Sequence, residues 1–247
     1  MIELYNEDCY KTLCGLQDGK VDLLLQDTPF GVTQNEWDIK PDLPKMWKEW
    51  ERVIKENGAM IFFATQPFAS ELILSNGELF RYDIIWQKSH STGFLNAKKM
   101  PLRIHEHILV FYKSLPTYNP QVFDKPKHNI RPIVVKPRLS ENYGKFKEGN
   151  TRTIPIDKSY PDSILYFENG RDDINHPTQK PLDLIRYLVL TYSNENDVVF
   201  DGYLGSGTTA IACIEEKRNF IGSELNKEYF DKSTERINLL KSKPELF

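Results

Sequence analysis

Residues Val198-Val199-Phe200-Asp201 form an apolar run ending in a carboxylate, and Gly202-Tyr203-Leu204-Gly205-Ser206-Gly207 follows at once, with a helix expected from Thr208. Strand, glycine-rich turn and helix in that order constrain the fold more than any other stretch of the 247 residues. Such a turn brings main chain close to a nucleotide-like ligand at a helix start, and it belongs in a parallel α/β sheet. It also calls for a second carboxylate at the end of the next strand, about 20 residues on, to hold ribose hydroxyls. Glu224 stands 23 positions after Asp201, behind Phe220-Ile221-Gly222-Ser223. The glycine pattern is not G-x-G-x-x-G, so a smaller adenosyl ligand fits better than a dinucleotide.

The rest of the chain supports that architecture. Val21–Leu25, Ala59–Ala64, Arg81–Gln87 and Glu106–Tyr112 read as strands, with helices over Leu43–Lys55 and Pro67–Ser75. From about 115 to 175 no period is sustained and Pro, Asn, Gly and Lys are frequent, so this stretch reads as an inserted lobe. Regularity returns with a helix at Pro181–Tyr192, strands at Asp197–Phe200 and Asn219–Ser223, and a charged helix over Asn226–Lys241. Strand–helix alternation at both ends predicts one α/β domain built from 1–114 and 176–247, interrupted by a lobe at 115–175.

Charge separates the same regions. The net charge is −3, yet Arg81–Lys158 holds fifteen Lys/Arg against six Asp/Glu, and the remainder 17 against 29. A basic middle on an acidic body suits a nucleic-acid contact surface, or a solvated lysine-rich insertion. Cys9, Cys14 and Cys213 lack metal-ligand spacing and read as reduced intracellular thiols. The acidic start does not resemble a signal peptide, and no apolar run approaches the roughly 18 residues of a membrane helix. A cytoplasmic protein is expected.

A second motif, Asp27-Thr28-Pro29-Phe30, caps the apolar run at 21–25 and lies 174 positions before Asp201. Taken singly, Asp27 caps a turn, Pro29 stiffens it and Phe30 plugs the core. Taken together, the Asp27 carboxylate and the Thr28 carbonyl can accept hydrogen bonds from an exocyclic amino group. That takes the nitrogen lone pair out of ring conjugation and points it at an electrophile. Phe30 would stack on the base, worth about 1–3 kcal/mol, after the base leaves its duplex.

With both motifs in view, the chain resembles the S-adenosylmethionine-dependent amino-methyltransferases of DNA, which share an Asp-Pro-Pro-Tyr type motif and a Phe-x-Gly-x-Gly motif. Catalytic motif first and cofactor motif last is the order of the group called β-class. Three further segments are similar to family segments: Asn6-Glu7-Asp8-Cys9, His176-Pro177-Thr178-Gln179-Lys180-Pro181, and the region from Trp86-Gln87-Lys88 through Gly93–Pro101 to Arg103-Ile104-His105-Glu106-His107. The resemblance implies a Rossmann-like methyltransferase fold, a mostly parallel sheet with helices on both faces, a circularly permuted motif order and a small inserted target-recognition lobe. It implies S-adenosylmethionine as cofactor, with Asp8 and Cys9 near its adenine, and His176, Thr178 and Lys180 near its methionine end. Asp201, Gly202, Tyr203, Gly205, Gly207, Thr208 and Glu224 would complete that site together with Asp27. Thr28, Phe30, Gly202 and Tyr203 depart from the usual residues, but the carbonyl at 28 and the ring at 30 survive.

Asp at the first motif position is commoner in adenine-N6 enzymes, so sequence-specific adenine-N6 methylation of duplex DNA with a flipped base is expected. Cytosine-N4 methylation, RNA methylation and a catalytically inactive DNA-binding relative are the alternatives. Lys98, Lys99 and Arg103, with Lys125, Lys127, Arg131, Lys136, Arg138, Lys145, Lys147 and Arg152 of the lobe, would contact DNA among Phe123, Tyr143 and Phe146. His105 and His107 alternate about Glu106 and would share one side of a strand, as paired metal ligands do, but no third ligand with sensible spacing accompanies them and methyl transfer from a sulfonium needs no metal. The resemblance also allows a homodimer.

Overall fold

The computed structural model describes residues 1–31, 39–124, 157–169 and 179–242. Two compact units are present, 1–119 with 163–247, and 120–162. In the larger unit, strands β1 (Ile2–Tyr5), β2 (Val21–Gln26), β3 (Ile54–Ala64), β4 (Phe80–Thr92), β5 (Arg103–Phe111), β8 (Ile164–Tyr166), β9 (Val198–Asp201) and β10 (Asn219–Ser223) form one sheet. Its order is β1-β10-β9-β2-β3-β5-β4-β8. The first five strands are mutually parallel, β5 runs against β3 and β4, and β8 is parallel to β4.

Strands buried on both faces read as continuous apolar runs, as β2 does, and their alternate residues enter separate layers. Leu23 and Leu25 of β2, with Ile61 and Phe63 of β3, pack against helices α4 (Leu182–Tyr192), α5 (Thr208–Glu215) and α6 (Lys227–Lys241). Leu24, Met60 and Phe62 face the other way, toward α1 (Cys9–Gly15), α2 (Leu43–Val53) and α3 (Phe68–Ser75). Much of the aromatic content fills that second layer, where Trp47, Trp50, Phe62 and Phe111 meet with ring centroids as close as 4.7 Å. The expected α/β fold with helices on both faces is therefore present.

Several boundaries differ from expectation. β3 starts at Ile54 rather than Ala59 because α2 hands its chain straight into the sheet, where Ile54 pairs with Val21. β4 and β5 extend past the expected ends as a long hairpin, with a register shift between the pairs Gln87–His105 and Thr92–Arg103. β1, α1 and β8 were not foreseen, since β1 is a short edge strand and β8 only three residues long. Within the stretch assigned to the lobe, β8 pairs with β4, and the compact unit spans only 120–162. In that unit the described residues form an antiparallel pair, β6 (Phe123–Asp124) with β7 (Lys158–Ser159), tied by a Lys158–Asp124 ion pair.

Parallel pairing puts the C-terminal ends of β1, β10, β9, β2 and β3 on one edge, and the register adds the end of β4 and the start of β5. Ligands of open parallel sheets bind beyond this edge. Asp201 is the last residue of β9, and Asp8, Asp27 and Glu224 lie just past the ends of β1, β2 and β10.

Candidate active site

The turn after β9 is wired largely to its own main chain. Asp201, buried, accepts hydrogen bonds from Tyr203 N at 3.0 Å and Thr209 Oγ1 at 2.7 Å. Burial pushes its carboxyl up to about 7, against those two donors. Glu224 Oε2 accepts from Gly205 N at 2.9 Å, and Oε1 from Asn226 N at 2.8 Å. Gly205 and Gly207 have φ of 51° and 79°, the left-handed region that glycine enters freely. Arg236 of α6 donates to the Ser206 carbonyl at 3.0 Å and to Thr208 Oγ1 at 3.3 Å, closing the turn from behind. Asn6 Nδ2 bonds the Glu224 carbonyl at 2.8 Å, so the exits of β1 and β10 are tied together. Asp8 caps α1 by accepting from Tyr10 N at 3.0 Å.

Gly202 is a packing position. A Cβ there would lie 2.0 Å from Cys9 Sγ and 3.0 Å from Gln26 Oε1. Cys9, expected among the cofactor residues, is buried against this glycine, and burial raises its thiol well above the ordinary value. Tyr203 is raised likewise by burial, with Cys9 beside it.

Asp27 is held differently. Lys180 Nζ donates to Asp27 Oδ2 at 2.6 Å and lies 3.5 Å from Glu106 Oε2, while Lys88 bonds Glu106 Oε1. These residues come from four places in the chain: the turn after β2, the end of β4, the start of β5 and the segment before α4. They alternate in sign as Lys88, Glu106, Lys180, Asp27. The Lys180 and Glu106 side chains are 10% and 11% exposed, and Asp27 retains 29%. Burial raises the Asp27 carboxyl, with Glu106 adding to the rise and Lys180 opposing it. For Glu106, burial is outweighed by Lys180 and Lys88, and its carboxyl is lowered. For Lys180, burial is outweighed by the two carboxylates, and its ammonium is raised. The Phe63 ring, centroid 5.0 Å from Lys180 Nζ, lines the same spot.

Thr28 is buried, its hydroxyl without a hydrogen-bond partner among the described residues. It precedes Pro29, which restricts its backbone to extended conformations and so fixes the direction of its carbonyl. Phe30 is half-buried and stacks on Phe68 at 5.6 Å with 29° between rings. Lys98, Lys99 and Arg103 are exposed on the β4–β5 hairpin. His176, Thr178, Lys125, Lys127, Arg131, Lys136, Arg138, Lys145, Lys147 and Arg152 lie outside the described residues.

Three residues that sequence reasoning gave no role are prominent. Gln26, fully buried, donates to the carbonyls of Leu25 at 3.0 Å and Phe200 at 3.1 Å and accepts from Gly202 N at 3.3 Å. It joins the strand of one motif to the turn of the other; an amide closing an apolar run was the available signal. Lys88 and Glu106 lie in segments similar to the family's, but each reads along the chain as one charge in a mixed strand, with nothing to pair them. Among the described residues, no three His, Cys, Asp or Glu side chains group as metal ligands, and no helix is long and apolar enough to cross a membrane.

A mostly parallel sheet with a glycine-rich turn after one strand and an acidic turn after its neighbour defines a Rossmann-like fold. The model of the N6/N4 DNA methylase family matches residues 21–235. The chain belongs to that family, the S-adenosylmethionine-dependent amino-methyltransferases of DNA. It is 29% identical to the type II methyltransferase M.BglII of Bacillus subtilis over 93% of this chain and 67% of that one. It is 28% identical to the DNA adenine methyltransferase YhdJ of Escherichia coli K12, over 89% and 76%. The crystal structure of the M1.HpyAVI–SAM complex superposes with a TM-score of 0.62 at 25% identity, covering 96% of this chain and all of that one. PvuII DNA methyltransferase, cytosine-N4-specific, matches with a TM-score of 0.69, covering 100% and 88%; its 14% identity shows the shared fold alone.

Proposed function

We propose that this methyltransferase acts on the N6 amino group of adenine within a specific duplex sequence. The observation that carries the reading is Asp27. One of its oxygens is occupied by Lys180 at 2.6 Å, and the other, without a partner among the described residues, is left to accept an amino N–H. The Thr28 carbonyl accepts the second N–H, so the nitrogen lone pair is directed out of the base plane. When bound, S-adenosylmethionine supplies a methyl group on a cationic sulfur. As the nitrogen gains a bond it sheds a proton, and the Asp27 carboxyl, raised by burial, is placed to take it. Lys180 keeps that carboxylate from rotating. Rate enhancement comes chiefly from positioning and fixed charge.

The donor set suits that cofactor. Each Glu224 oxygen accepts one N–H and keeps lone pairs for ribose hydroxyls. Glu224 also places negative charge at this edge, as suits a cationic cofactor. Lys98, Lys99 and Arg103 would hold phosphates, and the target base would leave its stack at a cost of a few kcal/mol. Adenine is favoured by Asp27 as the first motif residue, and the E. coli relative is named as an adenine enzyme.

Mass spectrometry of nucleosides from unmethylated DNA, incubated with the protein and S-adenosylmethionine, tests this. N6-methyladenine is the expected product. N4-methylcytosine would overturn the target while keeping the mechanism, and no methylated base despite bound cofactor would point to a DNA-binding relative without activity.

A further inference from the structure

Every residue from His90 to His105 is exposed, and the stretch stands on the edge of the sheet that carries Asp27. Lys88, the last inward charge of β4, reaches the Asp27 cluster through Glu106. Thr92 lies four residues further on, so the hairpin tip begins roughly 13 Å beyond that cluster at about 3.3 Å per strand residue. At the tip, Phe94 and Leu95 are 81% and 96% exposed, and Met100 and Ile104 are exposed near them. Adjacent apolar side chains so fully in water are uncommon on a folded surface and mark a contact site.

Two features say what covers them. No acidic residue occurs between Asp83 and Glu106, whereas Lys98, Lys99 and Arg103 flank the apolar pair. Those three cations are exposed and make no ion pair among the described residues, as suits a polyanion. The tip is also already folded. Asn96 N donates to the Gly93 carbonyl at 2.9 Å, Ala97 N to Phe94 O at 3.0 Å and Lys99 N to Asn96 O at 2.8 Å. Gly93, with φ 86°, permits the turn that lifts Phe94 outward. A rigid apolar point costs little conformational entropy when it is buried.

We propose that the hairpin tip is a wedge for duplex DNA. Phe94 and Leu95 enter the base stack beside the target, and Lys98, Lys99 and Arg103 grip the neighbouring phosphates. Apolar side chains that part a base step offset the unstacking that base extrusion requires. The proposal rests on the reading that a base leaves the duplex, but not on which base it is.

The test uses the full chain with Phe94 and Leu95 both changed to Ala, a double variant that spares the core because both side chains are exposed. The methylated site is first mapped on plasmid DNA. Incorporation of tritiated methyl is then measured on a paired duplex, and on one with an abasic site opposite the target, where extrusion is already easy. Counting label whatever the base keeps this result separate from the adenine assignment. The expected outcome is a loss of about tenfold or more on the paired duplex, the rate equivalent of part of the unstacking cost. On the abasic duplex the variant should stay within about threefold of wild type, because the unstacking cost has been removed. An unchanged rate on the paired duplex, or an equal loss on both, overturns the wedge. A change in oligomeric state by sedimentation would instead assign the tip to contact with a second copy.

Discussion

The two turns that meet at the edge of the sheet restrain their carboxylates in opposite ways. Asp201 is held by donors two and eight residues away, and Glu224 by main chain two and 19 residues away. Asp27 is held by a lysine 153 residues away, and that lysine by a glutamate whose own partner sits on a third strand. The first arrangement forms as soon as a strand, its turn and the next strand are in place. The second exists only when β2, β4, β5 and the segment before α4 have come together. The Asp201 and Glu224 carboxylates are thus held mainly by local wiring, and the Asp27 carboxylate by tertiary wiring.

The contrast can be broken most sharply at Asp27. Replacing Asp27 by Ala should lower kcat by about 10²–10⁴-fold, the range for a positioned proton acceptor. Calorimetry should find cofactor affinity nearly unchanged, because Asp201 and Glu224 do not depend on Asp27 for their hydrogen bonds. A large loss of affinity would show that the two turns are not separately wired.

A smaller effect is expected one step back in the charge chain. Glu106→Gln should cost about tenfold in kcat, ~1.4 kcal/mol, through looser placement of Lys180 and hence of Asp27. It also removes a negative charge that raises the Asp27 carboxyl. The sign follows: ionised Asp27 becomes easier to form, so the acid limb of the kcat–pH profile moves to lower pH. A limb that stays in place would mean that Glu106 matters only as filler.

At the glycine turn, Gly202→Ala drives a methyl group into Cys9 Sγ and should cost about 1–3 kcal/mol of stability, read from urea unfolding. Cofactor affinity should weaken with it. Removing the obstruction as well, with Cys9→Ala, should recover most of the loss. Failure to recover would place the strain on the Gln26 side.

The same contrast explains what the sequence discloses. The glycine turn, Glu224 and the alternation of apolar runs are periodic or closely spaced, and they could be read along the chain. Strand β10 was expected at Asn219–Ser223 and lies there. Lys88 and Glu106 could not be found that way, because the register that brings them together is a property of the β4–β5 hairpin. Lys180 was noticed for its segment and expected toward the cofactor; the structure brings it to Asp27. β8 escaped notice because three residues give too short a pattern to stand out in a polar, irregular stretch.

Gln26 has a consequence for how such a chain can be cut and rejoined. Its amide binds strands β2 and β9, which are hydrogen-bonded neighbours at Leu23–Val199 and Leu24–Phe200 although 174 residues separate Gln26 from Phe200. The distance between the turn at Asp27 and the glycine turn is therefore set by adjacency in the sheet, not by the peptide running between them. Chemistry at this edge is indifferent to which motif is synthesised first. A circularly permuted order of the same strands would present the same two turns on the same edge of the sheet.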